Sequence, residues 1–311
     1  ILGLHHVTAT VNDAQQDLDF CLGSLGLRLV KKTVNFDNHH VYHFYYGDER
    51  GTPGTIWTTF PYKGRGVRVG ARGSGQVVAT SFSVPAGSLG AWRARLRERH
   101  IAVADLEPRF GEDAIRVLDP SGLVFELIAN SRDARTPWAG GVDAASAIRG
   151  IHSVTMMVRE PARTIDLMKR ILNYEVVAEI EGRIRVAAGG DAPGHIIDVA
   201  HDSKAPAIVN GINGLGTVHH VAMAVGSEAE QLEFRARLVD YGCTVTEVRD
   251  RCYFKSIYFR EPGGVLFEIA TVAPGFTSDE ALSKLGRGLK LPPWEEPDRA
   301  AIEAGLEPVR Y

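Results

Sequence analysis

Two stretches of the chain, LHHVTATV at residues 4–11 and TVHHVAMAV at 217–225, each set a His-His pair at the head of a short alternating strand. Imidazole is a ligand for several transition metals, so twin histidine pairs on strands suggest a metal site. Strand alternation chooses between the members of each pair, because side chains two apart share a face. In the first stretch Val7, Ala9 and Val11 form an apolar set, and His6, Thr8 and Thr10 form the opposite one. In the second, Val221, Met223 and Val225 are the apolar set, which leaves His220 across from them. The expectation is that His6 and His220 lie on the polar face, while His5 and His219 start out on the apolar side.

The element that positions these residues is repeated. Four segments align on a closing valine: GLHHVTATV (3–11), QVVATSFSV (76–84), GIHSVTMMV (150–158) and TVHHVAMAV (217–225). Each is followed by a stretch with apolar residues at three- and four-residue intervals, the pattern of a helix with one buried face. Each unit ends in a turn and an apolar strand: TPGTIWTTF, DPSGLVFELIA, APGHIIDVA and EPGGVLFEIA. Strand-like runs such as VYHFYYG and YFKSIYF lie between, so the unit reads β-α-β-β-β four times. Over residues 3–272 this resembles the vicinal-oxygen-chelate superfamily of glyoxalase I and the extradiol ring-cleaving dioxygenases. The resemblance implies an α+β fold in which four βαβββ modules form two cupped mixed β-sheets with helices outside. It also implies metal ligands on the first and last strands of the modules. The corresponding division is a first domain over 1–138 (two modules), a second over 148–272 (two modules) and a C-terminal tail over 273–311.

The strand column of His6 reads His6, Ala79, Ser153 and His220 through the four units. Closing strands aligned on Gly54, Gly122, Gly194 and Gly264 give Thr58, Glu126, Asp198 and Glu268. Pairing the first and fourth units in one cup collects His6, His220 and Glu268, with Thr58 a poor ligand at the fourth place. The other cup then holds Ala79, Ser153, Glu126 and Asp198, with no histidine in these columns, and reads as a degenerate copy. Two histidines and one carboxylate form a facial triad that leaves coordination positions open, which suits Fe(II) and dioxygen; Mn(II) accepts the same donors.

Composition narrows the partner. A formal charge of −3 over 311 residues offers no basic surface for nucleic acid or anionic membranes. No apolar run reaches membrane-spanning length and the opening residues lack a signal-peptide core, so a cytoplasmic location is expected. Cys21, Cys243 and Cys252 are too few and too scattered for a disulfide framework or a metal cluster. A small molecule is the expected partner, and self-association into a homo-oligomer is left open.

Within the superfamily, Thr58 departs from the four-ligand pattern of glyoxalase I, and a ligand at the extreme N-terminus departs from the catechol enzymes. The LHHVT opening, the HHVA repeat, RDRCYFKSIYFREPGGVLFE and the tail LGRGLKLPPWEEPDRAAIEAGLEP are similar to the hydroquinone ring-cleaving dioxygenases, the group of 2,6-dichlorohydroquinone 1,2-dioxygenase. That resemblance implies Fe(II)-dependent cleavage of a hydroquinone or related dihydroxylated ring, with a small aromatic substrate and dioxygen as partners. It assigns Tyr258, Arg251 and His219 to catalysis and His5 and Thr8 to the surroundings of the substrate. Alternation and resemblance disagree on which way His5 and His219 point. The alternatives are a glyoxalase-type lyase or isomerase without oxygen chemistry, and a non-catalytic module that binds quinones.

Overall fold

The computed structural model describes residues 1–202 and 209–311, and the repeat appears in it as four β-α-β-β-β modules. The first holds β1 (Leu4–Val11), α1 (Ala14–Leu18), β2 (Arg28–Asn35), β3 (Asn38–Gly47) and β4 (Ile56–Pro61). The second holds β5 (Gln76–Pro85), α2 (Leu89–Glu98), β6 (Val103–Arg109), β7 (Glu112–Leu118) and β8 (Val124–Asn130). The third holds β9 (Gly150–Met157), α3 (Pro161–Arg170), β10 (Glu175–Ile180), β11 (Arg183–Ala187) and β12 (Ile196–Ala200). The fourth holds β13 (Thr217–Val225), α4 (Glu228–Asp240), β14 (Arg249–Asp250), β15 (Lys255–Arg260) and β16 (Leu266–Thr271).

Local sequence accounts for the boundaries. The Asp13 carboxylate accepts from the Gln16 N–H at 2.9 Å and the Ser227 hydroxyl from the Glu230 N–H at 3.2 Å, capping α1 and α4. Pro161 opens α3, where its missing N–H costs nothing. The four turn glycines before the closing strands, Gly54, Gly122, Gly194 and Gly264, have φ of 87°, 91°, 93° and 101°. That left-handed region strains any side chain bearing a Cβ, so the turn and the register of each closing strand depend on glycine there.

Modules pair as the histidine columns suggest, first with fourth and second with third. One eight-stranded sheet runs β14-β15-β16-β13-β1-β4-β3-β2 and the other β10-β11-β12-β9-β5-β8-β7-β6. In every module the first and closing strands are parallel neighbours, and β1–β13 and β5–β9 join the modules antiparallel. One apolar core links both sheets: Val7, Val221 and Met223 belong to it with Leu18, Leu96, Leu167 and Leu238 of the helices. Trp57 of β4 meets Phe125 of β8 at 4.9 Å between ring centroids, so the sheets stand back to back. Both cups therefore face away from the shared core, with the helices outside them.

The tail beyond β16 crosses the first module and ends in α5 (Arg299–Gly305). The buried Lys31 amine of β2 anchors it through Asp279 and Glu280, and the Tyr42 hydroxyl donates to the Glu307 carbonyl at 2.9 Å. Among the described residues no helix is long and apolar enough to cross a membrane.

Candidate metal centre

The central strands of the first sheet bring His6, His220 and Glu268 together. Thr8 of β1 faces His220 of β13, and Ala222 of β13 faces Glu268 of β16, so the three side chains project from adjacent rungs into the cup. His6 Nε2 is 3.2 Å from His220 Nε2 and 3.3 Å from Glu268 Oε2, and His220 Nε2 is 2.8 Å from that oxygen. All three residues are buried, and their donor atoms lie within 4.8 Å of one another. The second carboxylate oxygen, Oε1, accepts from the Ser256 hydroxyl, whereas Oε2 is buried without a hydrogen-bond partner. Such an orphan is expensive in a closed protein interior. Two imidazole nitrogens and an orphaned carboxylate oxygen at this spacing fit a divalent cation.

Charge states agree with that donor set. Burial alone would raise the Glu268 pKa, but the electrostatic pull of the neighbouring His6 and His220 rings outweighs it and holds the carboxyl well below the usual range. Burial pushes His220 down, favouring the neutral imidazole that a cation requires. The other nitrogens of the two rings are held by their sequence neighbours: Nδ1 to Nδ1 distances are 2.9 Å for His5–His6 and 2.7 Å for His219–His220. For Nε2 to offer a lone pair, each inner ring must carry its proton on Nδ1 and donate it to its neighbour, a contact that fixes tautomer and orientation. His5 is in turn anchored on the Thr271 backbone.

The expectation that His5 and His219 start on the apolar side does not hold. The β1–β13 ladder skips one residue between Leu4 and His6 and another between Val218 and His220. Each outer histidine is the extra residue of a β-bulge, which breaks alternation and turns both members of a pair toward the cup. The β5–β9 ladder slips at the equivalent places, at Val78 and His152. A two-residue period contains no signal for such a slip.

A cavity of about 280 Å³ opens from the triad. His6, His219 and His220 form its floor, with Arg251, Phe254 and Tyr258 on one side and His43, Phe60 and Tyr62 on the other. Tyr258 faces Glu268 across the β15–β16 ladder, with its ring 5.7 Å from that of His220. Arg251 Nε donates to the Tyr258 hydroxyl at 3.2 Å, and its Nη2 reaches Asp37 of the β2–β3 turn at 2.9 Å. Thr8 lies under the floor and accepts from the Thr58 hydroxyl at 2.8 Å; neither Thr8 nor His5 lines this cavity. Sequence reasoning missed His43, Ser256, Tyr45 and Phe254. The parity of β3 and β15 relative to the closing strands was the available signal for the first three, since Tyr45 faces Thr58 as Tyr258 faces Glu268.

The second sheet repeats the geometry with different chemistry. Arg116 of β7 and Arg185 of β11 stand opposite Glu126 and Asp198, the rungs held by Tyr45 and Tyr258 in the first sheet. Arg116 donates to Glu126 at 2.8 Å and Arg109 caps the other oxygen. Arg185 donates to Asp198 at 2.8 and 3.1 Å, and to Glu112 at 2.7 Å. Ser153 receives His152 Nδ1 at 3.0 Å in place of a second imidazole.

The chain is similar to known proteins in sequence and in fold. The family model of the glyoxalase/bleomycin resistance protein/dioxygenase superfamily matches residues 150–269. The chain is 42% identical over 308 residues to the "Putative ring-cleaving dioxygenase MhqO" of Bacillus subtilis, covering 99% of this chain and 96% of that protein. It is 37% identical over 296 residues to the "Chlorohydroquinone/hydroquinone 1,2-dioxygenase" of Sphingobium indicum, covering 94% and 91%. A crystal structure of a "putative dioxygenase" from Bacillus subtilis superposes with a TM-score of 0.93 at 42% identity, covering 99% of this chain and 97% of that one. Glyoxalase I from Zea mays shares the fold alone, with a TM-score of 0.65 at 12% identity over 87% and 92%.

Proposed function

Since the chain belongs to the glyoxalase/bleomycin resistance protein/dioxygenase superfamily, with ring-cleaving dioxygenases among its full-length relatives, we propose that it opens the ring of hydroquinones with dioxygen. The metal is Fe(II), held by His6, His220 and Glu268, with Mn(II) the other ion this donor set accepts. The observation that carries the reading is the orphaned Glu268 oxygen beside two imidazole nitrogens whose rings line the floor of a cavity of about 280 Å³. Roughly 150 Å³ suffices for benzene in an engineered protein cavity, so a substituted ring and dioxygen fit here.

A bound divalent iron supplies Lewis acidity toward a phenolic oxygen and a redox route to dioxygen. The protein's own groups then orient and protect the ring. Because Tyr258 accepts the Arg251 proton, its own hydroxyl proton is free to point at substrate oxygen. Arg251, fixed by Asp37, presents positive charge where the opening ring gathers negative charge, in a cavity with little water to screen it. His219 accepts the His220 proton at Nδ1, which leaves its own Nε2–H to donate a hydrogen bond to a substrate or product oxygen in the cavity. His5 orients His6, and Thr8 holds Thr58; both act on substrate through those neighbours.

Oxygen uptake by the iron-loaded protein with methyl- and chlorohydroquinone is the test. Dioxygen should disappear in equal amount to the hydroquinone, and faster than with catechol. Catechol cleavage without hydroquinone turnover would overturn the substrate class, and absence of uptake with any ring would overturn the oxygen chemistry.

A further inference from the structure

The fourth ligand place of the first cup is not empty of chemistry. Thr58 stands there, on the rung equivalent to Glu268. In the fourth module Ser256 of β15 holds Glu268; in the first module the equivalent position of β3 is His43, and its Nε2 lies 2.9 Å from Thr58 Oγ1. The side chain–side chain contact is conserved between modules while its chemistry is exchanged. Thr58 has one hydroxyl proton and gives it to Thr8. The imidazole must therefore be the donor in its contact with Thr58, which places its proton on Nε2 and a lone pair on Nδ1. Among the described residues no protein group takes that lone pair. The ring is clamped between Tyr45 and Phe60, with centroids 4.0 and 4.2 Å away, so its direction is set.

Several other polar groups of the cavity are already committed. The Asp37 carboxylate is paired with Arg249 and Arg251, the Asn35 carbonyl oxygen accepts the Asp37 N–H, and Tyr62 accepts from Asn35. On the metal side Tyr258 and His219 present protons. We propose, on the hydroquinone reading above, that His43 Nδ1 accepts the hydrogen bond of the ring hydroxyl remote from the metal and thereby selects rings with a second, distant hydroxyl. A catechol, whose two oxygens are adjacent, presents no hydroxyl there. Burial, which disfavours the imidazolium form of His43, keeps the acceptor available.

The test is anaerobic titration of the metal-loaded protein with hydroquinone and with phenol, the same ring without the second hydroxyl. The wild type should bind hydroquinone about tenfold more tightly, the worth of one well-made hydrogen bond with no buried partner left unpaired. His43→Gln keeps an amide near Thr58 but removes the acceptor, and should erase the difference while leaving phenol affinity unchanged. His43→Asn puts an oxygen near the Nδ1 position and should restore part of it. An undiminished preference in the Gln variant, or in the Asn variant should Gln fail to fold, would overturn the role of His43 alone. A wild type that consumes oxygen with no hydroquinone would overturn the functional reading and this inference with it.

Discussion

The two cups share a backbone plan and differ in what faces their carboxylates. In both, a closing-strand acid or its replacement projects beside the first strand, opposite a long side chain one strand further out. In the first cup that opposing residue is Tyr45 or Tyr258; in the second it is Arg116 or Arg185. Guanidinium forks saturate Glu126 and Asp198, whereas a tyrosine leaves Glu268 an oxygen with no proton directed at it. The fold makes converging columns in every module. A metal site results only where histidines fill the first-strand column and no arginine claims the acid.

Exchange of alanine for the acids should separate the cups most sharply. His6→Ala, His220→Ala and Glu268→Ala should each abolish turnover and most metal binding while the circular dichroism spectrum and the unfolding midpoint stay near those of the wild type. Asp198→Ala should do the reverse. It leaves Arg185 in the interior with one partner fewer, a loss of about 3 kcal/mol in denaturant unfolding, while metal content is retained.

Smaller effects should follow from the outer histidines and the cavity wall. His5→Ala and His219→Ala should weaken metal affinity by about tenfold to a hundredfold, the usual scale for groups that hold a ligand, and less than loss of the ligand itself. Tyr258→Phe removes one hydroxyl and little volume, so turnover should fall while metal occupancy, read by elemental analysis, stays constant.

The smallest effect belongs to the second cup and depends on pH. Burial opposes the charge of Glu112, but the His152 hydrogen bond and the Arg185 guanidinium overcome it and hold the pKa at about 2, below the ordinary 4.5. A depressed carboxyl stabilises the folded state fully above its unfolded pKa and loses that contribution as pH falls through the folded one. The stability gap between wild type and Glu112→Gln should thus be level from neutral pH to about 4.5 and close as pH drops toward 2. A gap that widened on acidification would contradict this ion-pair assignment.

Much of this arrangement was legible in the chain. The repeated segments and their turn glycines put His6, His220, Thr58 and Glu268 in equivalent columns, because a short glycine turn leaves little freedom of register. The bulges at His5 and His219 were not legible, since an inserted residue leaves no mark on the alternation of its neighbours. Asp37 meets Arg251 only because the β2–β3 turn reaches across to the fourth module, and no local pattern encodes that approach. His43 in VYHFYYG was legible only through strand parity, since its face follows from how β3 pairs with β4.

Cleavage of methylhydroquinone in isotopically labelled dioxygen, followed by mass spectrometry of the product, tests the central claim most directly. The expected result is a ring-opened acid carrying oxygen label, formed by the wild type and by Asp198→Ala but not by Glu268→Ala. An unlabelled product, or a labelled one formed equally well by Glu268→Ala, would contradict it.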